Sequence, residues 1–220
     1  MKKQFVVIGL GRFGGSVIKT LVSMGYEVMA IDRNERLVQE YSAIIPHVYQ
    51  ADCTDENVLK QLGVQNMDHA VVAIGDDLQA SILTTLILKD LKVPYVTAKA
   101  TSEYHRRVLE RIGADRIVLP ERDTGVRVAH QITTNNMVDY LELTPDFTLV
   151  EVLAPHSMDN KTLKELNIRA KYGCNIVAIR RKDNSMNVSP PADAKIYDGD
   201  MLIVIGNNSG IGRFEKGIEE

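Results

Sequence analysis

Near its start the chain carries Gly9-Leu10-Gly11-Arg12-Phe13-Gly14, three glycines at the spacing G-x-G-x-x-G. After a strand and before a helix, each glycine has a mechanical task. The first permits a tight turn, the second lets backbone approach a pyrophosphate, and the third lets the helix pack closely on the strand. Phosphates would then rest on the helix N-terminus, where unpaired N–H groups and the positive end of the helix dipole favour anions. Asp32 lies about twenty residues further on, where a carboxylate accepts hydrogen bonds from ribose hydroxyls. It argues against a 2′-phosphate, although Arg33 beside it keeps that point open; Asn34 follows as a further candidate contact. Arg12 sits inside the loop, where dinucleotide enzymes usually place a small or apolar residue. Its guanidinium either reaches phosphates, in its own chain or across an interface, or remains solvated. The loop reads as the site of an adenine nucleotide.

Further candidates fall at the ends of later strands, where ligands of open α/β sheets bind. These are Asp52-Cys53, Ile74-Gly75-Asp76, Lys99-Ala100-Thr101 and Glu121. Lys99 ends an otherwise apolar strand and is either a ligand contact or a lysine reaching out to solvent. Glu121, after Pro120, is by itself a carboxylate near a helix start. His105, with Glu103 and Arg106, falls in the helix after the fifth strand and close to the expected crevice. The remaining histidines are scattered, and His47 and His69 begin strands, at the end away from ligands. There is no Ser-His-Asp order, no G-x-S-x-G and no zinc spacing. An NAD(H)-dependent oxidoreductase is the alternative reading of the loop, but it needs a proton donor beside the nicotinamide, and none is evident. The expectation is therefore a protein without catalysis.

The elements that must hold these residues alternate in period. Short apolar, β-branched runs occur at 5–8, 27–31, 47–50, 69–74, 95–99 and 116–119. Helical spacing fills the intervals at 12–24, 35–41, 56–62, 78–91 and 103–112. Strand alternating with helix forces parallel neighbours and a doubly wound α/β sheet of Rossmann type. One more helix is expected over 124–136, and the polar run Thr133-Thr134-Asn135-Asn136 marks a boundary. Beyond it come strands at 148–153, 175–180, 186–188 and 201–205, with helices at 163–166 and 211–216, a small α+β module. The division expected is 1–122, a connecting helix 123–136, and 137–220.

Composition narrows the class. With 220 residues, 45% hydrophobic and 25% charged, the chain can bury a real core. A net charge of -3 speaks against a nucleic-acid partner. The opening MKKQFVVIGLG reads as a strand rather than a signal peptide, because the apolar run is short and Arg12 follows. Two widely spaced cysteines, Cys53 and Cys174, suit a reduced cytoplasmic compartment.

The string IGLGRFG at 8–14, Asp32, Ile74-Gly75 and the string GADRIVLPE at 113–121 together resemble the RCK, or TrkA-type, family of potassium-transport regulators, and the second module resembles that family's C-terminal domain. The resemblance implies a cytosolic subunit of a Ktr-type potassium uptake system, peripheral on the inner face of the membrane. It would form a homodimer, assemble into an octameric ring and dock on a membrane-embedded potassium-translocating partner. ATP or ADP, and in some members NAD(H), would occupy the Rossmann crevice. Arg12 would reach the terminal phosphate of a neighbouring subunit's nucleotide, Asp32 would hold the ribose, and Asp52-Cys53 would flank the adenine. Ile74, Gly75, Asp76, Lys99, Ala100, Thr101 and His105 would line the rest. Glu121 would face its symmetry mate and help hold a cation, Mg2+, Ca2+ or Na+, bridging the phosphates. In the second module the resemblance implies a cyclic di-AMP site with Ile168, Arg169, Ala170 and Asn175, and Leu163 and Pro191 as apolar walls. Read from sequence alone, Arg169 is equally a surface arginine before a turn.

Overall fold

The computed structural model describes residues 2–133 and 136–219. The chain divides into two compact units, residues 1–122 and 123–220. The polar run expected at the boundary includes Thr134 and Asn135, which lie outside the described residues.

The N-terminal unit is a six-stranded parallel sheet. Its strands are β1 (Gln4–Ile8), β2 (Glu27–Asp32), β3 (His47–Gln50), β4 (His69–Val72), β5 (Tyr95–Lys99) and β6 (Arg116–Val118). They lie in the order β3-β2-β1-β4-β5-β6. The helices between them are α1 (Arg12–Ser23), α2 (Glu35–Ser42), α3 (Glu56–Gln61), α4 (Leu78–Asp90) and α5 (Glu103–Arg111). The strands are apolar on both faces because both are covered. Val7, Val28 and Ala30 pack with Ile18 and Tyr41 on one face. Val6, Ile8, Val72 and Val96 pack with Leu59, Leu88 and Leu109 on the other. Strand order reverses between β1 and β4, which is where open α/β sheets leave a crevice.

Two boundaries differ from the sequence expectation. Strand β4 stops at Val72, two residues short of Ile74, and Ala73 and Ile74 line the crevice. The next helix, α6 (Pro120–Thr133), begins at Pro120 rather than at 124. Proline suits a first helical turn, since its missing N–H would have had no partner there.

The C-terminal unit is a five-stranded antiparallel sheet in the order β10-β9-β11-β8-β7. Its strands are β7 (Met137–Thr144), β8 (Phe147–Leu153), β9 (Asn175–Arg180), β10 (Met186–Val188) and β11 (Met201–Asn207). The helices are α7 (Leu163–Leu166), α8 (Ile168–Tyr172) and α9 (Asn208–Glu219). Strand β7 and helix α8 were not expected, and α9 is twice as long as its apolar spacing suggested. Phe214, Ile211 and Ile218 of α9 close the core against Val150, Val152, Leu202 and Val204. Asp200, buried, is ion-paired with Arg181 and also accepts the Tyr197 N–H at 2.8 Å.

Candidate functional site

The crevice above β1 and β4 has a volume of about 940 Å³, within the range of small-molecule sites. Its back wall is the glycine loop. Gly9 takes φ +96°, a conformation open to glycine, and a Cβ there would press on the backbone of Ala73 and Ile74 at 3.0 Å. A Cβ on Gly14 would overlap the Gly9 carbonyl oxygen, so that glycine is required by helix–strand packing. At Gly11 a Cβ would meet nothing within 4 Å: the space in front of it is left open toward the crevice.

Helix capping distinguishes this end of the sheet. Asn34, Asp55, Asp77 and Ser102 cap α2, α3, α4 and α5, each side chain accepting a backbone N–H. Helix α1 has Gly11 at its cap, no side-chain acceptor and no acidic residue in its first turn. Its first N–H groups are thus left without a side-chain acceptor beside the crevice, an arrangement that suits an anion. Arg12 stands beside them, exposed, and its guanidinium makes no hydrogen bond or ion pair among the described residues. Arg12 also borders a second groove, formed with Ser16, Lys19, Glu40 and Tyr41.

Asp32 does two things at once. One carboxylate oxygen accepts the Leu10 N–H at 2.6 Å, fixing the glycine loop from β2, and the other accepts the Asn34 N–H at 2.8 Å. Lone pairs remain on both oxygens for a ribose. Arg33 is turned toward Asp77 at 3.1 Å and Asp76 at 3.7 Å. Asn34 lines the crevice while its side chain caps α2. Asp52 accepts the Thr54 N–H at 2.9 Å and its hydroxyl at 2.7 Å, and these bonds hold its carboxyl below the usual carboxylate range. Beneath it Cys53 is buried, and desolvation, with Asp52 and Asp32 nearby, pushes its thiol up to about 12. Such a thiol is packing, not a nucleophile.

At the far end Lys99 donates to Glu121 at 2.6 Å. The lysine is largely buried and lies over Gly75, where a Cβ would stand 3.2 Å from Nζ. Hydrogen bonding from Lys99 holds the Glu121 carboxyl low, with a smaller contribution from Arg12. Arg12, Lys99 and Glu121 thus face one region, where the distal phosphates of a nucleotide on α1 would lie. Glu121 is the lone carboxylate of that cluster, and among the described residues no group of three His, Cys, Asp or Glu is placed to hold a metal ion.

Most of the sequence candidates do converge here: Gly9, Gly11, Arg12, Phe13, Asp32, Arg33, Asn34, Asp52, Cys53, Ile74, Gly75, Asp76, Lys99, Thr101 and Glu121 all line the crevice. Gly14, Ala100 and His105 do not. Gly14 is buried in the turn behind, and Ala100 is in the core. His105 is buried, with Nδ1 accepting the Thr101 N–H at 3.3 Å, so it supports the wall rather than forming it. Burial alone holds its imidazole below the ordinary range, and Nε2 has no hydrogen-bond partner. Asp77, the cap of α4, and Leu83 and Thr84 within it also line the crevice and were not expected there. Asp77 was legible only as a helix cap; nothing local said that its free oxygen faces Arg33.

In the C-terminal unit, backbone bonds from Leu163 to the Ala194 carbonyl (3.1 Å) and from Lys164 to the Ala192 carbonyl (2.8 Å) tie α7 to the segment after Pro191. This brings two of the candidate apolar residues, Leu163 and Pro191, onto neighbouring segments. Asn167, in the left-handed region at φ 48°, turns α7 into α8 and starts the helix that carries Arg169 and Ala170. Ile168 is buried, whereas Arg169, Ala170, Asn175 and Pro191 are exposed.

A Rossmann-type unit with an uncapped first helix, joined to a small antiparallel α+β unit, defines the class as a Rossmann fold with an appended second module. Residues 5–120 match the family model of the TrkA-N domain and residues 147–218 that of the TrkA-C domain. Ktr system potassium uptake protein C of Bacillus subtilis (strain 168) is 56% identical over 216 residues, covering 98% of this chain and 97% of that protein. Protein A of the same system and organism is 46% identical, covering 97% and 96%. Among solved structures, the GsuK RCK domain superposes with a TM-score of 0.52 at 25% identity, over 99% of this chain and 46% of that one. The GsuK channel bound to NAD matches equally, over 39% of its own chain. The chain belongs to the TrkA-type (RCK) family, and its near relatives are potassium uptake proteins rather than enzymes.

Proposed function

We propose that this chain is the nucleotide-sensing regulatory subunit of a Ktr-type potassium uptake system. The observation that carries the reading is the uncapped N-terminus of α1, open to the crevice beside the unpaired Arg12. ATP or ADP binds with its ribose on Asp32 and its phosphates on α1; NAD(H) is the variant on the same site, in keeping with the NAD-bound GsuK channel.

ATP and ADP differ by one phosphate, so a switch needs groups that meet the added charge differently. Arg12, Lys99 and Glu121 are those groups. One copy of Glu121 does not make a cation site. Mg2+, Ca2+ or Na+ is held there only together with phosphate oxygens and Glu121 of a second copy.

Assembly is supported by apolar side chains left in solvent. Val126, Val128 and Ile132 of α6 are exposed, and no residue of that helix is buried. Leu78, Leu83 and Leu86 of α4 and Tyr104 of α5 are exposed as well. Faces of this kind mark protein contacts. They suit a dimer, and a ring of dimers as an octamer, on a membrane-embedded potassium-translocating partner at the cytoplasmic face. No helix among the described residues is long and apolar enough to cross a membrane. Arg169, a fork suited to a phosphodiester, and the Leu163–Pro191 neighbourhood form half of a cyclic di-AMP site that a second copy completes.

Arg12→Ala tests the mechanism in a reconstituted transport assay. It removes the difference between ATP and ADP in activating potassium uptake while ADP binding persists. Undiminished activation by ATP in that variant overturns it.

A further inference from the structure

An arginine directly after the aspartate that ends β2 is placed where Rossmann proteins accommodate a 2′-phosphate. In this chain that arginine is already engaged. Nη1 of Arg33 donates to Asp77 Oδ2 at 3.1 Å, and Nη2 lies 3.7 Å from Asp76 Oδ2. Asp77 is not free to swing aside, because its other oxygen accepts the Ala80 N–H at 2.9 Å as the cap of α4. Strands β2 and β4 flank β1, so the pair links the segments on either side of the glycine loop at the mouth of the crevice. All of these residues line it, together with Asp32 and Asp52.

The two ends of the crevice therefore differ in charge. The phosphate end holds Arg12 and Lys99 against Glu121. The ribose end holds Asp32, Asp52, Asp76 and Asp77 against Arg33 alone. We infer that Asp77, assisted by Asp76, determines specificity by occupying Arg33, so that the crevice accepts adenine nucleotides with a free 2′-hydroxyl and rejects 2′-phosphorylated ones. A 2′-phosphate would have to displace a capped carboxylate and then sit among uncompensated negative charge. An exposed ion pair by itself is weak; the surplus of carboxylates around it makes the rejection. The inference rests on the nucleotide reading above.

The probes are AMP and adenosine 2′,5′-bisphosphate, which differ by the 2′-phosphate alone, titrated calorimetrically at low salt. The wild-type chain favours AMP. In Asp76→Asn/Asp77→Asn that preference falls by about tenfold, or about 1.4 kcal/mol, because Arg33 is released. Asparagine caps a helix as well as aspartate does, so α4 is preserved. Adding Arg33→Ala to the double variant restores discrimination against the bisphosphate. An unchanged ratio in the double variant, or a wild type that binds both probes alike, overturns the inference. A wild type that binds AMP, ADP and ATP not at all overturns the nucleotide reading itself, and the inference with it.

Discussion

Strand β1 of the N-terminal unit buries Val6, Val7 and Ile8 in succession, whereas β8 of the C-terminal unit buries Thr148, Val150 and Val152 and leaves Leu149 and Glu151 partly open. The first sheet is covered on both faces, the second mainly on one. A doubly covered parallel sheet sends all its strand-to-helix loops to one end, and where strand order reverses there a crevice forms within a single chain. A one-sided antiparallel sheet has no such end. Its candidate ligand residues stand exposed, Arg169 and Ala170 on the short helix α8, Asn175 at the start of β9 and Pro191 in a loop. The difference teaches that the two candidate sites ask for different things. The N-terminal crevice forms within one chain, whereas the C-terminal candidate residues lie in the open.

The comparison can be tested first where its energy is largest. Phe214, fully buried, anchors α9 in the C-terminal core. Phe214→Ala should cost about 3–5 kcal/mol, seen as a lower midpoint in urea unfolding. ADP affinity at 25 °C should be unchanged; a tenfold loss there would show that the crevice is not complete within the N-terminal unit.

Asp32→Ala comes next. It leaves the Leu10 N–H, in a buried residue, without its acceptor, at a cost of about 1–3 kcal/mol. Calorimetry should find AMP and ADP weakened together, since both the loop and the ribose contact are lost. A variant that keeps full stability would mean that the loop is held without β2.

The smallest effect is electrostatic. The Glu121 carboxyl is held below its ordinary 4.5, first by the hydrogen bond from Lys99. A depressed folded-state value means that the pair's contribution is complete above about 4.5 and drains away as pH falls through the folded value. Glu121 is mostly exposed, so the change is slight in stability but visible in its carboxyl resonance by NMR. Lys99→Met should move that midpoint back up toward 4.5; an unmoved midpoint would mean that the pair is broken in solution.

How far the sequence could be read depended on whether the cause was local. The six parallel strands were legible because each is a short apolar run set off by helical spacing, and residues 8–14 carried their own turn chemistry. Strand β7 was not legible. Its residues, MVDYLELT, mix apolar and acidic types, and its pairing with β8 is interrupted by shifts at Met137/Asp139 and Glu142/Thr144. Helix α8 escaped notice because a five-residue helix between Asn167 and Gly173 has too few turns to show a period. The same logic separated the site residues. Asp32 was visible from its distance to the glycines, while the burial of His105 behind Thr101 was not, because it is set by packing and not by position along the chain.

What the sequence determined by itself, then, was the turn into α1: glycines at 9 and 14 where a Cβ would collide, and no capping side chain where the next four helices each have one. Such features depend on backbone sterics and on neighbours within a few residues. What only the tertiary structure decided was the pairing of distant charges. Arg33 meets Asp77, and Lys99 meets Glu121, because strand order places the segments after β2 and β4, and the end of β5 and the segment after β6, around one crevice. No spacing in the chain encodes those neighbours. They follow from which strands lie side by side, and that is settled by burying the sheet on both faces at once.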